Sequence, residues 1–124
     1  MFWCADEFNQ PLNEWDTSKV KDMYEMFNIA KKFNQPLNDW NTSSVTNMSE
    51  MFASAEEFNQ PLNNWNTSKV TNMSWMFSCA KKFNQDISKW KISKVTQHDK
   101  MFTGSAIRST YKPNFDPPTR GGKR

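Results

Sequence analysis

The sequence contains three glycines, two cysteines and one histidine in 124 residues, and each scarcity excludes something. With Gly104, Gly121 and Gly122 as its only glycines, it has no glycine-rich loop to cradle a phosphate. Two cysteines cannot make a disulfide framework, and no Cys/His cluster has metal-ligand spacing. His98 has no second histidine and no positioned cysteine to work with, so acid–base chemistry lacks a centre. A long apolar run is also missing, which removes any candidate membrane span. From these absences the chain is expected not to be an enzyme, with no catalytic residue, no cofactor and no metal site.

Branched aliphatic residues are few as well: three Leu, four Ile and four Val, against ten Phe, eight Met and six Trp. The core must therefore be built largely from aromatic rings and thioethers, and Met packs well against ring edges. These residues are not scattered. A Met-Phe pair stands at Met1/Phe2, Met26/Phe27, Met51/Phe52, Met76/Phe77 and Met101/Phe102, spaced by 25 residues each time. Phe8, Phe33, Phe58 and Phe83 form a second column, Trp15, Trp40, Trp65 and Trp90 a third, and Val20, Val45, Val70 and Val95 a fourth. An unslipped period of this size marks stacked repeats, so like side chains should form ladders with neighbours about 5 Å apart.

Within one unit, Met48, Met51, Phe52 and Ala55 fall at i, i+3, i+4 and i+7, the stripe of a short helix. Ser49, Ser74 and Asp99 stand where an N-cap would sit, with Tyr24 the exception. Pro11, Pro36 and Pro61 should end that helix. Leu62 to Trp65 reads as extended, Asn66-Thr67-Ser68 as a turn and Lys69 to Asn72 as a short strand. The expected architecture is a leucine-rich-repeat-like solenoid, with short parallel β-strands and one short helix per 25-residue turn. Residues 1–107 would form four repeats and a partial fifth, and residues 108–124, with three Pro and two Gly, a flexible basic tail. Because Met1 is already the in-register Met and no capping element or leader precedes it, the sequence is expected to be a fragment or a truncated product.

Charge follows the same places. Residues 1–107 hold 11 Lys/Arg against 12 Asp/Glu, and residues 108–124 hold 5 against 1, so the net charge of +3 belongs to the tail. Asp6-Glu7, Lys31-Lys32, Glu56-Glu57 and Lys81-Lys82 alternate in sign, as inter-turn ion pairs would. A second gradient runs from Glu14/Asp16 to Lys89/Lys91 and suggests head-to-tail self-association of copies. Cys4 and Cys79 share one place three turns apart, roughly 15 Å, beyond the Cα limit of about 7 Å for a bridge, so two free thiols are expected. Asn9, Asn34, Asn59 and Asn84 should bond a backbone corner, a polar binding strip being the alternative.

Two residues break their columns in a way that suggests recognition. Trp75 replaces Glu25, Glu50 and Lys100, and Trp3 also lies off the Trp column. An exposed Trp on a regular scaffold is a natural contact residue. The triplets that match N-glycosylation, such as Asn41-Thr42-Ser43, follow from the repeat itself.

Phe-Asn-Gln-Asp-Ile-Ser-x-Trp at Phe83 to Trp90, Thr-Ser-x-Val-Thr-x-Met at Thr67 to Met73 and Met-Phe-x-x-Ala at Met51 to Ala55 together resemble the BspA-like leucine-rich-repeat surface proteins. The same repeat occurs in many mycoplasma lipoproteins as a domain of unknown function. The resemblance implies a non-enzymatic surface or secreted protein-interaction or adhesion module, with a protein or cell-surface ligand. An intracellular interaction scaffold, or weak nucleic-acid binding through the basic tail, is the alternative. A cell-surface or secreted location is expected from the resemblance alone, since no signal peptide or lipoprotein cysteine is read in the residues from Met1 onward.

Overall fold

The computed structural model describes residues 2–115. The expected solenoid of strands and helices does not form. Among the described residues the only helical element is a 3-10 turn, Ser109–Tyr111. Parallel pairing is confined to the single bridges Asp22–Asn47, Asn47–Asn72 and Asn72–Gln97, so no sheet exists among these residues. Among the described residues no helix is long and apolar enough to cross a membrane.

Each 25-residue unit is instead a chain of tight turns. In the third unit the amides of Met51, Ala53, Ala55 and Phe58 donate three residues back, to Met48, Glu50, Phe52 and Ala55, at 3.0–3.3 Å. Glu50 and Ser54 occupy the third place of two of these turns, with φ of 56° and 59°. Alternate amides point out of the unit: Met48, Glu50, Phe52 and Ser54 donate to Asn72, Ser74, Met76 and Ser78, 24 residues on, at 2.7–2.9 Å. These donors are committed to the next unit and cannot make the four-back bonds of an α-helix. Successive turns still bring every third and fourth residue to one side. Met48, Met51, Phe52 and Ala55 are all fully buried, so the apolar stripe is real although the helix is not.

The other local expectations change for the same reason. Leu62 to Trp65 is a turn closed by the Trp65 amide on the Leu62 carbonyl at 3.1 Å, and the strand at Lys69 to Asn72 reduces to the single residue Asn72, bridged to Asn47 and Gln97. The serines expected as N-caps have no such role. Asp22, Asn47 and Asn72 place a side-chain oxygen on the amide two residues on, that of Tyr24, Ser49 and Ser74, at 2.9–3.0 Å. Asn and Asp favour this short local bond, which fixes the entry into the turns.

The core consists of aromatic ladders. Phe2, Phe27, Phe52, Phe77 and Phe102 stack with centroids 5.4–5.8 Å apart. Phe8, Phe33, Phe58 and Phe83 form a second ladder at 5.9–6.0 Å, and Trp40, Trp65 and Trp90 a third at 6.2–6.4 Å. These spacings lie slightly above the strand separation of about 4.8 Å and within the range of roughly 4.5–7 Å at which aromatic rings pair favourably. Polar groups that enter the stack are bonded across it. Each of Asn9, Asn34 and Asn59 accepts the amide of its counterpart in the next unit at 2.9–3.0 Å. The buried hydroxyls of Thr17, Thr42 and Thr67 donate to carbonyls of the next unit at 2.8–3.1 Å.

At the C-terminal end, residues 107–115 pack onto the fourth unit and do not run free. Ile107 is buried, the Arg108 amide donates to Asn84 Oδ1 at 3.0 Å, and the Ile87 amide donates to the Tyr111 carbonyl at 3.0 Å. Phe115 stacks on His98 at 4.2 Å. The rest of the expected tail, residues 116–124, lies outside the described residues.

Candidate interaction surface

Two surface columns border one another along the flank of the stack. One is the place of Trp3, Asn28, Ala53, Ser78 and Thr103; the other is that of Glu25, Glu50, Trp75 and Lys100. Asn28 joins them, donating its side-chain amide to Glu25 Oε2 and Glu50 Oε1, both at 3.3 Å. The turn geometry explains why the second column faces outward: Glu25, Glu50, Trp75 and Lys100 all have φ between 53° and 61°. A left-handed residue at the third place of a turn carries its side chain away from the packed ring layer.

The structure places both recognition candidates on this flank. Trp3 is 58% exposed and Trp75 39%. Lys100 Nζ lies 5.3 Å from the Trp75 ring centroid, a cation–π contact that holds the indole in place. Between them stands Tyr24, 46% exposed, whose hydroxyl is pushed above the ordinary tyrosine value by the Glu50 carboxylate first and Glu25 second. The flank passes from an aromatic and acidic half at Trp3, Tyr24, Glu25 and Glu50 to an aromatic and basic half at Trp75 and Lys100. Tyr24 was visible in the sequence only as the residue that departs from the Ser/Asp column, and the Glu25–Asn28–Glu50 bridge had no signal there.

Other conspicuous residues are structural. The ion pairs of the alternating column form between the third and fourth units, Lys81–Glu56 at 3.9 Å and Lys82–Glu57 at 2.9 Å. The Lys82 ammonium, through its hydrogen bond and charge, holds the Glu57 carboxyl below its ordinary value. Asn41 and Asn66, from the glycosylation-like triplets, accept the amide and hydroxyl of Ser43 and Ser68 at 2.6–3.0 Å and so shape a turn. Asp86, which replaces proline in the fourth unit, accepts both Ser88 donors and is held below its ordinary value by them. Cys4 and Cys79 are unpaired and exposed. Among the described residues no three His, Cys, Asp or Glu side chains come together in a group that could hold a metal ion.

A family model described as Mycoplasma protein of unknown function, DUF285, matches residues 1–113. No curated protein matches the chain, and no solved structure matches it.

Proposed function

The chain belongs to this DUF285 family, and we propose that it is a non-enzymatic protein-interaction module of a surface or secreted protein, of the adhesive kind. The observation that carries the reading is the flank on which Trp3, Tyr24 and Trp75 lie exposed beside fixed charges. Large rings whose polar tips remain wet give contact area at low conformational cost, which is the chemistry of a protein-binding face. The turn-by-turn bonding holds these rings on a rigid base, so little order would be lost on binding. The likeness of the Phe83–Trp90, Thr67–Met73 and Met51–Ala55 phrases to BspA-like surface proteins supports the cell-exterior part of the reading.

The test is adhesion of the purified chain to wells coated with collagen, fibronectin or laminin, compared with the Trp3→Ala/Trp75→Ala variant. Saturable binding that falls tenfold or more in the variant, with its thermal transition unchanged, supports the reading. Binding that is equal in the two chains, or absent from all three coatings, removes it.

A further inference from the structure

Where the third unit meets the fourth, two adjoining cavities open on the surface. The first, of about 330 Å³, has Pro61, Ile87 and Trp90 as its apolar wall, with Gln85 and Asp86 beside them. The second, of about 270 Å³, lies among Asn64, Asn66 and Lys91. Asn63 and Lys89 border both, so the two form one groove. These residues all belong to units that have neighbours on either side, the second unit before them and residues 101–115 after.

Three departures from the repeat shape this groove. Asp86 stands where Pro11, Pro36 and Pro61 stand in the earlier units. Its Oδ1 folds back onto the amide and hydroxyl of Ser88 at 3.0 and 2.6 Å, and its Oδ2 has no partner among the described residues. Ser88, in turn, takes the place of Asn13, Asn38 and Asn63. In the earlier units the amide at that place reaches the next unit, Asn13 Nδ2 to Asp39 Oδ2 at 2.8 Å and Asn38 Nδ2 to Asn63 Oδ1 at 3.2 Å. With Ser88 turned to Asp86, the series stops, and Asn63 Nδ2 donates to nothing among the described residues. The third departure is charge: Glu14/Asp16 and Asp39/Asn41 give way to Asn64/Asn66 and then to Lys89/Lys91. Neither lysine makes a salt bridge among the described residues, where the ion pairs are those of Lys81 and Lys82.

The groups left over specify a ligand. Gln85 is anchored by its Nε2 on the Asn59 carbonyl and Oδ1 at 3.3 and 2.9 Å, which leaves its Oε1 as an acceptor beside Asp86 Oδ2. An apolar wall with two acceptors and an amide donor at its rim suits a sugar ring, whose C–H face lies on the wall while its hydroxyls bond to the rim. Further along the groove, two ammonium groups suit a carboxylate. Asp86 repels an anion from the first cavity, so the negative charge of the ligand has to fall on the second alone.

We propose that this groove binds an acidic glycan in which a neutral sugar alternates with a carboxylated one. The neutral ring sits against Pro61 and Trp90 with its hydroxyls on Gln85 and Asp86, the carboxylate meets Lys89 and Lys91, and Asn63 bonds the link between them. The groove shares no residue with the Trp3–Trp75 flank, so it does not depend on the protein-binding reading of that flank.

The probe is a hyaluronan hexasaccharide, in which N-acetylglucosamine alternates with glucuronate, titrated calorimetrically into the full chain. Saturable binding is expected, about tenfold weaker for the Lys89→Gln/Lys91→Gln chain and for neutral chitohexaose. Asn63→Ala should weaken it about fivefold. All of these side chains are exposed, so the thermal transitions of the variants should match that of the parent chain. A heparin hexasaccharide, charged on successive rings, should bind more weakly than hyaluronan, and Asp86→Asn should narrow that difference. No binding of hyaluronan overturns the proposal. Tighter binding of heparin that Asp86→Asn leaves unchanged also overturns it, since bulk attraction to lysines would then account for the result. The Trp3→Ala/Trp75→Ala chain should bind hyaluronan as the parent does, and a loss there overturns the proposal by placing the glycan on the flank.

Discussion

The indole N–H of Trp40 donates to the carbonyl of Leu12 at 2.8 Å, across 28 residues of sequence. The bond ties a ring of the core ladder to the backbone of the unit before. Trp65–Leu37 and Trp90–Leu62 repeat it. A one-residue slip between units would break ring stacking and hydrogen bond together, so the Trp column sets the register as well as filling space.

Trp65→Phe keeps a ring in the ladder but removes the indole donor from the Leu37 carbonyl, which then keeps only the Trp40 amide at 3.1 Å. The net contribution of one such hydrogen bond is about 0.5–1.5 kcal/mol, and a loss toward the upper end of that range is expected in urea unfolding. Trp15→Phe, at the exposed end of the column, should change stability by no more than about 0.5 kcal/mol. Equal losses in the two variants would show that the indole bond has no part in holding the register.

Left-handed backbone at the fourth place of each unit gives opposite expectations for two substitutions. Gly104 has φ of 80°, and a Cβ added there would lie 3.3 Å from Cys79 Cα and Sγ, so Gly104→Ala should destabilise by about 1–2 kcal/mol. Ile29 is a half-buried, β-branched residue at φ 62° in the equivalent place. Ile29→Gly relieves that strain, and the relief outweighs the apolar surface given up with the side chain, so the variant should be stabilised by up to about 1 kcal/mol. Thermal melts of the two variants moving in the same direction would contradict this.

Acid sensitivity follows from the lowered carboxylates. Glu57 is held down by Lys82, and Asp16 and Asp86 by the hydroxyl and amide of Ser18 and Ser88. Each is lower in the folded chain than in the unfolded one, so its stabilisation is present above the ordinary carboxylate value and is lost as pH falls through the folded value. The urea midpoint should therefore hold steady from neutral pH down to the ordinary carboxylate range and drop below it. Glu57→Gln should flatten that drop slightly, and added salt should do the same to the wild type, because the pair is exposed.

Position along the ladder should govern the loss of a ring. Phe52 is fully buried, stacked on Phe27, Phe58 and Phe77. Phe52→Ala is expected to cost about 3–5 kcal/mol, a large part of a small domain's stability. Phe102, half-buried with a ring neighbour at Phe77, should cost clearly less. Denaturant titration of both variants checks the order.

Much of the core was legible in the sequence because the columns name its members directly: Phe27, Phe52, Phe77, Met48, Met73, Val45 and Val70 are all fully buried. The alternation of Glu56-Glu57 with Lys81-Lys82 likewise marked a contact between units from residue order alone. Of the interaction flank, Trp3 and Trp75 could be read as departures from their columns. Asn28 could not, since nothing local says that its amide reaches the carboxylates that close its own unit and the one before.

What the sequence determined alone is the 25-residue register and the identity of the buried residues, because both depend on which side chains recur and at what spacing. What only the tertiary structure decided is the path of the backbone. The spacing Met48, Met51, Phe52, Ala55 suits a helix and a chain of tight turns equally well. The choice rests on where the amides go, and those of Met48, Glu50, Phe52 and Ser54 go to the next unit. The packing of the last described residues was decided at the same level. Residues 107–115 have no periodic pattern, yet they pack onto the fourth unit through Asn84 and Ile87.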